Sequence, residues 1–263
     1  RQAIALAVTS ATSGTGKTSL TLSLGVSYAM TGARTLLIDG DLLGMGLTRR
    51  TGAVGRRKLG RVFRDYEIVA ESEAREALAL ANRTGLRIGE ALRELGYISD
   101  GDLHEGLSIQ REMTLGLADA LNGERPDACI APFGLDNLSI LPASDPEGAV
   151  VKAMSPPAVR ALIDSLRDAY DVILIDTGPV PGTTDSTVMT ASADGVIMVV
   201  SRGDLHTNVQ RAVQYVQRIG APLAGVVMNR ATTRDLHRSG HSSSAGSDPG
   251  PYAEALRKRE GGA

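Results

Sequence analysis

The chain has 263 residues, 42% of them hydrophobic, and a formal net charge of −2 from 28 Lys and Arg against 30 Asp and Glu. That length buries one substantial core, or a core with a small extra module, and the near-neutral balance lacks the basic excess by which nucleic acid as a main partner shows itself. No apolar run approaches a membrane span and no signal peptide is expected in these residues, while the single Cys129 offers no disulfide framework and suits a small core side chain in a reducing cytoplasm.

The chain starts at Arg1 and passes at once into the apolar run Ile4 to Val8, which predicts a strand over 3–9. A first residue other than methionine, so close to a strand, raises the expectation of a longer parent protein, which leaves room for an upstream membrane segment. Residues Thr9 to Thr18 then read Thr-Ser-Ala-Thr-Ser-Gly-Thr-Gly-Lys-Thr, ahead of a helical stretch over 17–31. This is a phosphate-binding loop. Small residues from Ala11 to Gly16 let consecutive backbone N–H groups turn inward around phosphate oxygens, Lys17 reaches the β- and γ-phosphates, and the Thr18 hydroxyl serves Mg²⁺. The helix that follows presents its positive end to the same anion. Ser13, Gly14, Thr15, Gly16, Lys17, Thr18 and Ser19 are therefore the candidate ATP ligands. The usual pattern begins with glycine, and Ala11 is compatible with the loop only at negative φ.

A second strand over 34–39 carries Leu36-Leu37-Ile38 and ends in Asp39-Gly40-Asp41. Later strands are predicted over 138–141, 171–176, 195–201 and 223–228, alternating with helices over 157–170, 183–192 and 205–219. The run Val172 to Ile175 ends in Asp176-Thr177-Gly178-Pro179. The fold class is α/β, a doubly wound and mostly parallel sheet whose ligands bind at the carboxyl ends of the strands. Aspartates at those ends suit a nucleotide-bound Mg²⁺, which takes one or two carboxylates along with phosphates and waters. Thr18, Asp39 and Asp176 are the candidate metal ligands; Lys17, Asp39, Asp41 and Asp176 are the candidate catalytic residues. One such aspartate could merely cap a turn, but three beside a phosphate loop favour the site. His104, His206, His237 and His241 have no metal-ligand spacing, and Arg49, Arg50, Arg56 and Arg57 read as a solvated linker.

Between residues 56 and 113 the alternation stops and a helical pattern occurs twice, Lys58-Leu59-Gly60 corresponding to Arg87-Ile88-Gly89 at an offset of 29 residues. Apolar spacing at three and four residues predicts four short helices packed as a small bundle. The division expected is 1–55 with 114–232 as the α/β unit, 56–113 as an inserted all-α unit, and 233–263 as a flexible tail rich in Arg, His, Ser and Gly, with a short helix over 252–259.

The main chain resembles the bacterial tyrosine kinases (BY-kinases) of capsule and exopolysaccharide synthesis, within the MinD/ParA-like class of P-loop ATPases. Ala11 to Thr18, Leu36 to Asp41 and Val172 to Pro179 match its three motifs in order, and Leu115 to Gly123, Leu138 to Ala143 and Ala193 to Val200 match lesser segments. The resemblance implies ATP and Mg²⁺ as cofactors and Asn229 as a purine contact. It also implies a homo-oligomer, a membrane polysaccharide co-polymerase or export protein as partner, and a cytoplasmic site of action beside the inner membrane. Thr12 stands where ParA and MinD proteins carry a signature lysine, which favours the kinase branch. Leu42-Leu43 replaces an arginine of the kinase pattern, no Glu-x-x-Arg-x-x-Arg motif precedes the loop, and the tail has Tyr252 in place of a tyrosine cluster. A tyrosine kinase, an ATP switch of the MinD/ParA type and a second-messenger sensor remain open.

The repeat resembles the MshEN-type domain of type II secretion and type IV pilus ATPases, whose resemblance implies cyclic di-GMP as ligand. Arg87, Ile88, Gly89, Gly96, Leu103, Leu107 and Gln110 fit the second copy. The first keeps Lys58, Leu59, Gly60 and Leu78 but carries Glu67, Ala74 and Ala81 where the pattern has Gly, Leu and Gln.

Overall fold

The computed structural model describes residues 2–56, 58–112, 114–144, 154–232 and 235. Seven strands form one sheet in the order β3-β4-β2-β5-β1-β6-β7: β1 Ile4–Ser10, β2 Thr35–Asp39, β3 Ala131–Phe133, β4 Leu135–Leu141, β5 Val172–Asp176, β6 Gly195–Ser201 and β7 Leu223–Asn229. All neighbouring pairs run parallel except β3 with β4. The central strands are apolar on both faces, as a sheet covered on both sides requires. Leu36 and Ile38 of β2 join one core cluster and Leu37 joins the other, so the two-residue strand period divides one tripeptide between two helical layers.

Helix α1 (Lys17–Met30) covers one face through Leu22 and Val26. It comes close because Gly25 has no Cβ; one built there would lie 2.6 Å from Leu37 Cδ2. The opposite face is covered by α9 (Pro156–Leu166) and α10 (Thr184–Ser192), which contribute Val159, Leu162, Ile163, Val188 and Met189, while α11 (His206–Arg218) packs Ala212 and Val216 near β6. These helices lie where the sequence places them, within a few residues at the ends. The short α2 (Gly46–Thr51), α7 (Leu117–Leu121), α8 (Pro126–Cys129) and the antiparallel β3 were not anticipated. Pro132 and Gly134 give the β3–β4 corner the composition of a loop.

Helices α3 (Leu59–Asp65), α4 (Glu71–Thr84), α5 (Ile88–Glu94) and α6 (Asp100–Glu112) pack around their own cluster, with Phe63, Ala77, Ala91 and Leu92 fully buried. The repeat is structural as well as textual. Both α5 and α6 start 29 residues after α3 and α4, and the ion pairs Arg64–Glu71 and Arg93–Asp100 are equivalent. So are the first-turn bonds in which Ala70 N–H donates to Glu73 and Ser99 N–H to Asp102. Gly96 has φ +74° and its counterpart Glu67 φ +55°, so the non-glycine copy keeps the same left-handed turn.

Among the described residues no helix is long and apolar enough to cross a membrane. The predicted tail and the helix over 252–259 lie outside the described residues apart from Asp235.

Candidate functional site

Three sequence motifs meet at the carboxyl ends of β1, β5 and β2, neighbours in the sheet. The loop after β1 turns through Gly14 (φ +76°) and Gly16 (φ +97°), and Gly16 caps α1. Among the described residues the non-glycine positions with positive φ are Met45, Glu67 and Arg230, not Ala11, so its methyl group is accommodated. Lys17, at the first position of α1, is 7% exposed and donates from Nζ to Ser10 Oγ at 3.1 Å. Burial lowers its pKa, and Asp176 and Asp41 act against that.

Asp39 and Asp176 end β2 and β5 in direct register. The Thr18 hydroxyl donates to Asp176 Oδ2 at 2.6 Å. Burial raises the Asp176 pKa to about 7; Thr18 and Lys17 counter it, whereas Asp39 and Asp41 add to it. Asp39 is fully buried and also raised by burial, although Thr48 N–H and Oγ1–H both donate to its Oδ2 at 2.7 Å and Asp41 N–H donates to Oδ1 at 3.3 Å. Asp176 has Asp39 and Asp41 beside it against the single cation Lys17, which leaves this corner short of positive charge that a divalent cation there would supply.

The donor set fits Mg²⁺ bound with a nucleotide. Among the described residues no three His, Cys, Asp or Glu side chains group to hold a metal by themselves, and one hydroxyl with one or two carboxylates suits an ion that keeps phosphates and waters. Thr15 Oγ1, in the middle of the loop, is buried without a hydrogen-bond partner, an unmet polar group where phosphate oxygens are expected. Ser13 and Gly14 are exposed at the loop's outer turn, and Ser19 Oγ accepts from Arg50 at 2.7 Å. Asp41 is half-buried at the mouth and holds Gly44 N–H at 2.8 Å.

Asn229, at the end of β7, donates from Nδ2 to Thr15 O at 2.7 Å, and a Cβ on Gly16 would collide with it at 2.1 Å. Arg230 donates to Gly14 O at 2.9 Å. Sequence reasoning missed Arg230 and Thr48, neither of which lies inside a spaced motif, and Ser10, which lies in the quoted loop segment one residue ahead of the spaced pattern that starts at Ala11. It also missed how Thr12 is held: its hydroxyl donates to Asp204 at 2.9 Å, in the turn after β6.

A second cleft, about 760 Å³, lies away from the phosphate loop between α3–α6 and α8. It gathers Lys58, Leu59, Gly60, Leu78, Arg87, Ile88, Gly89, Leu103, Leu107 and Gln110 from both repeats; Gly96 does not line it. Gly89 serves packing, since a Cβ there would lie 2.6 Å from Leu103 Cδ1 and 3.1 Å from Leu59 Cδ2. Arg125, Asp127 and Ala128 form a wall that the repeat does not supply.

The family model for the CobQ/CobB/MinD/ParA nucleotide binding domain matches residues 6–248. The chain belongs to this family. It is 25% identical over 226 residues to the tyrosine-protein kinase CpsD of Streptococcus pneumoniae serotype 4, covering 86% of this chain and 75% of that protein. It is 28% identical over 158 residues to the putative tyrosine-protein kinase EpsB of Ralstonia nicotianae, covering 56% and 20%. Among solved structures, the kinase domain of Escherichia coli tyrosine kinase ETK aligns with TM-score 0.58 at 17% identity, covering 92% and 72%. The septum site-determining protein MinD of Pyrococcus horikoshii OT3, complexed with Mg-ADP, aligns with TM-score 0.57 at 20% identity, covering 96% and 77%. At these identities the structures establish the fold, the mostly parallel seven-stranded sheet of MinD/ParA-type P-loop proteins.

Proposed function

We propose that this chain binds ATP with Mg²⁺ at residues 11–18 and transfers the γ-phosphoryl group to a tyrosine hydroxyl, as an autokinase of exopolysaccharide synthesis or export. The observation that carries the reading is the convergence of Lys17, Thr18, Asp39 and Asp176 at one end of β1, β5 and β2, with Thr18 2.6 Å from Asp176. Relatives named as tyrosine-protein kinases, and the succinoglycan biosynthesis transport protein ExoP of Rhizobium meliloti, support the acceptor and the setting. Lys17 and the loop amides would neutralise the β- and γ-phosphates, while Thr18 and Asp176 would hold the Mg²⁺, which would supply further neutralisation. Asp39 is enclosed and accepts from Thr48 on Oδ2 and from Asp41 N–H on Oδ1, so Asp41 at the mouth is the better group to orient the acceptor and take its proton. The bond from γ-phosphorus to the ADP oxygen breaks as the bond to the tyrosine oxygen forms. Acceptors in trans require a homo-oligomer or a polysaccharide co-polymerase or export partner at the inner membrane.

The test is incubation of purified protein with labelled ATP, followed by a phosphotyrosine blot, with Lys17→Ala as control. Hydrolysis without phosphotyrosine would replace the kinase by an ATP switch of the MinD/ParA type.

The second cleft favours an additional reading, an inserted MshEN-like unit that binds cyclic di-GMP. Its support is the meeting of Lys58 and Arg87 from equivalent positions of the two repeats, beside the apolar Leu59, Ile88 and Leu78. Its volume lies within the roughly 300–1,000 Å³ usual for small-molecule sites. Titration calorimetry with cyclic di-GMP on the intact chain and on Arg87→Ala tests it, and absence of heat from the intact chain ends it.

A further inference from the structure

The cationic side of the second cleft is already partly satisfied by the protein's own carboxylates. Lys58 Nζ lies 3.5 Å from Asp127 Oδ2, and Arg125 Nε lies 3.0 Å from Asp127 Oδ1. Arg87, by contrast, makes no ion pair among the described residues. Asp127 sits on α8, outside the repeat, so it is an anion of the α/β unit reaching the basic rim of the helical unit. Arg61–Glu124 at 3.2 Å is a second fastening across the same boundary.

From α8 a short series of close contacts leads to the nucleotide corner. The Cys129 carbonyl, at the end of α8, packs so tightly on Gly55 that a Cβ there would lie 2.4 Å away. Gly55 and Leu115, the entry and exit of the helical stretch, exchange backbone hydrogen bonds at 3.0 and 2.9 Å. Two residues on, Leu117 N–H donates to Pro142 O at 2.7 Å, and neighbouring Ala143 N–H donates to Thr48 Oγ1 at 2.9 Å. Thr48 in turn holds Asp39.

We propose that Asp127 is a built-in competitor for the second cleft: an anionic ligand with flat apolar faces, of the cyclic dinucleotide class, displaces its carboxylate from Arg125 of its own segment and from Lys58 of the helical unit, and the loss of the Lys58 pair loosens α8 from that unit and so changes nucleotide affinity at the phosphate loop. This rests on the cyclic di-GMP reading above. Two carboxylate contacts must be exchanged for phosphodiester contacts, so the ligand's affinity carries the loss of the Asp127 pairs. Linkage then requires the same coupling factor in both directions.

The experiment is calorimetry on the full chain with cyclic di-GMP as probe, for the unaltered protein, Asp127→Asn and Asp127→Glu, followed by titration of ATP·Mg²⁺ with and without saturating cyclic di-GMP. Asp127→Asn should bind the dinucleotide roughly two- to fivefold more tightly, the range of a half-exposed ion pair, with the gain fading in high salt. Asp127→Glu should restore the original affinity, and ATP affinity should differ between the two dinucleotide conditions. Equal dinucleotide binding by the unaltered protein and Asp127→Asn overturns the competitor. ATP binding indifferent to the dinucleotide overturns the coupling. No dinucleotide heat from any variant overturns the ligand reading as well as this one.

Discussion

Replacing Thr48 by Val removes one oxygen and with it two hydrogen bonds. The Thr48 hydroxyl donates to the fully buried Asp39 carboxylate at 2.7 Å and accepts from the backbone N–H of buried Ala143 at 2.9 Å. A bond to a charged acceptor is worth about 1.5–3 kcal/mol, and a buried N–H left without a partner costs about 1–3 kcal/mol. The extra methyl of Val returns under about 1 kcal/mol, and Thr48 is only half-buried, so water partly relieves both losses. The net is about 2–3 kcal/mol of stability, equivalent to a Tm lowered by roughly 4–12 °C in a domain of this size. The Thr48 backbone N–H still holds Asp39, so the site loosens without collapsing, and ATP·Mg²⁺ affinity should fall by about tenfold, or about 1.4 kcal/mol. Thr48→Ser keeps both bonds and should stay near the unaltered protein. Thermal unfolding followed by circular dichroism reads the first effect and calorimetry the second. A Thr48→Val protein melting within about 1 °C of the original would refute the role given to this threonine.

Lys17→Ala should abolish the ATP·Mg²⁺ titration signal, since it removes the buried cation of the loop, while leaving a cooperative unfolding transition; retained affinity would show that nucleotide binds elsewhere. Glu67→Gly should raise stability by about 1 kcal/mol, because φ +55° strains a residue with a Cβ, and an unchanged or lower Tm would contradict that turn geometry. Acid stability should depend on Asp171 and Asp194. The Arg34 guanidinium holds the Asp171 pKa down to about 2, and Arg167 lowers that of Asp194. Both carboxylates have folded values below the ordinary 3.8, so their contribution is present above about pH 4 and is lost as pH falls through the folded values. Asp171→Asn should flatten the fall in stability between about pH 4 and 2, and an unaltered slope would argue against the pair.

The phosphate loop, both aspartate motifs and the parallel α/β order were legible in the sequence, because each is a local pattern whose chemistry demands particular residue types at fixed spacing. The 29-residue repeat was legible for the same reason, and it reappears in helix starts and in the paired bridges Arg64–Glu71 and Arg93–Asp100. Contacts between residues far apart in the chain were not. Thr48 looks like an ordinary helix residue until α2 sets its hydroxyl between Asp39 and Ala143. Asp127 looks like a surface carboxylate until α8 closes the wall of the second cleft beside Lys58. Likewise Asp39 and Asp41 were both candidate catalytic carboxylates in sequence, and the fold separated them by burying one and leaving the other half-buried at the mouth. Sequence by itself determined which groups are present and which local shapes they adopt; tertiary structure decided which are desolvated and paired, because burial and charge proximity belong to neighbours that the chain brings together only on folding.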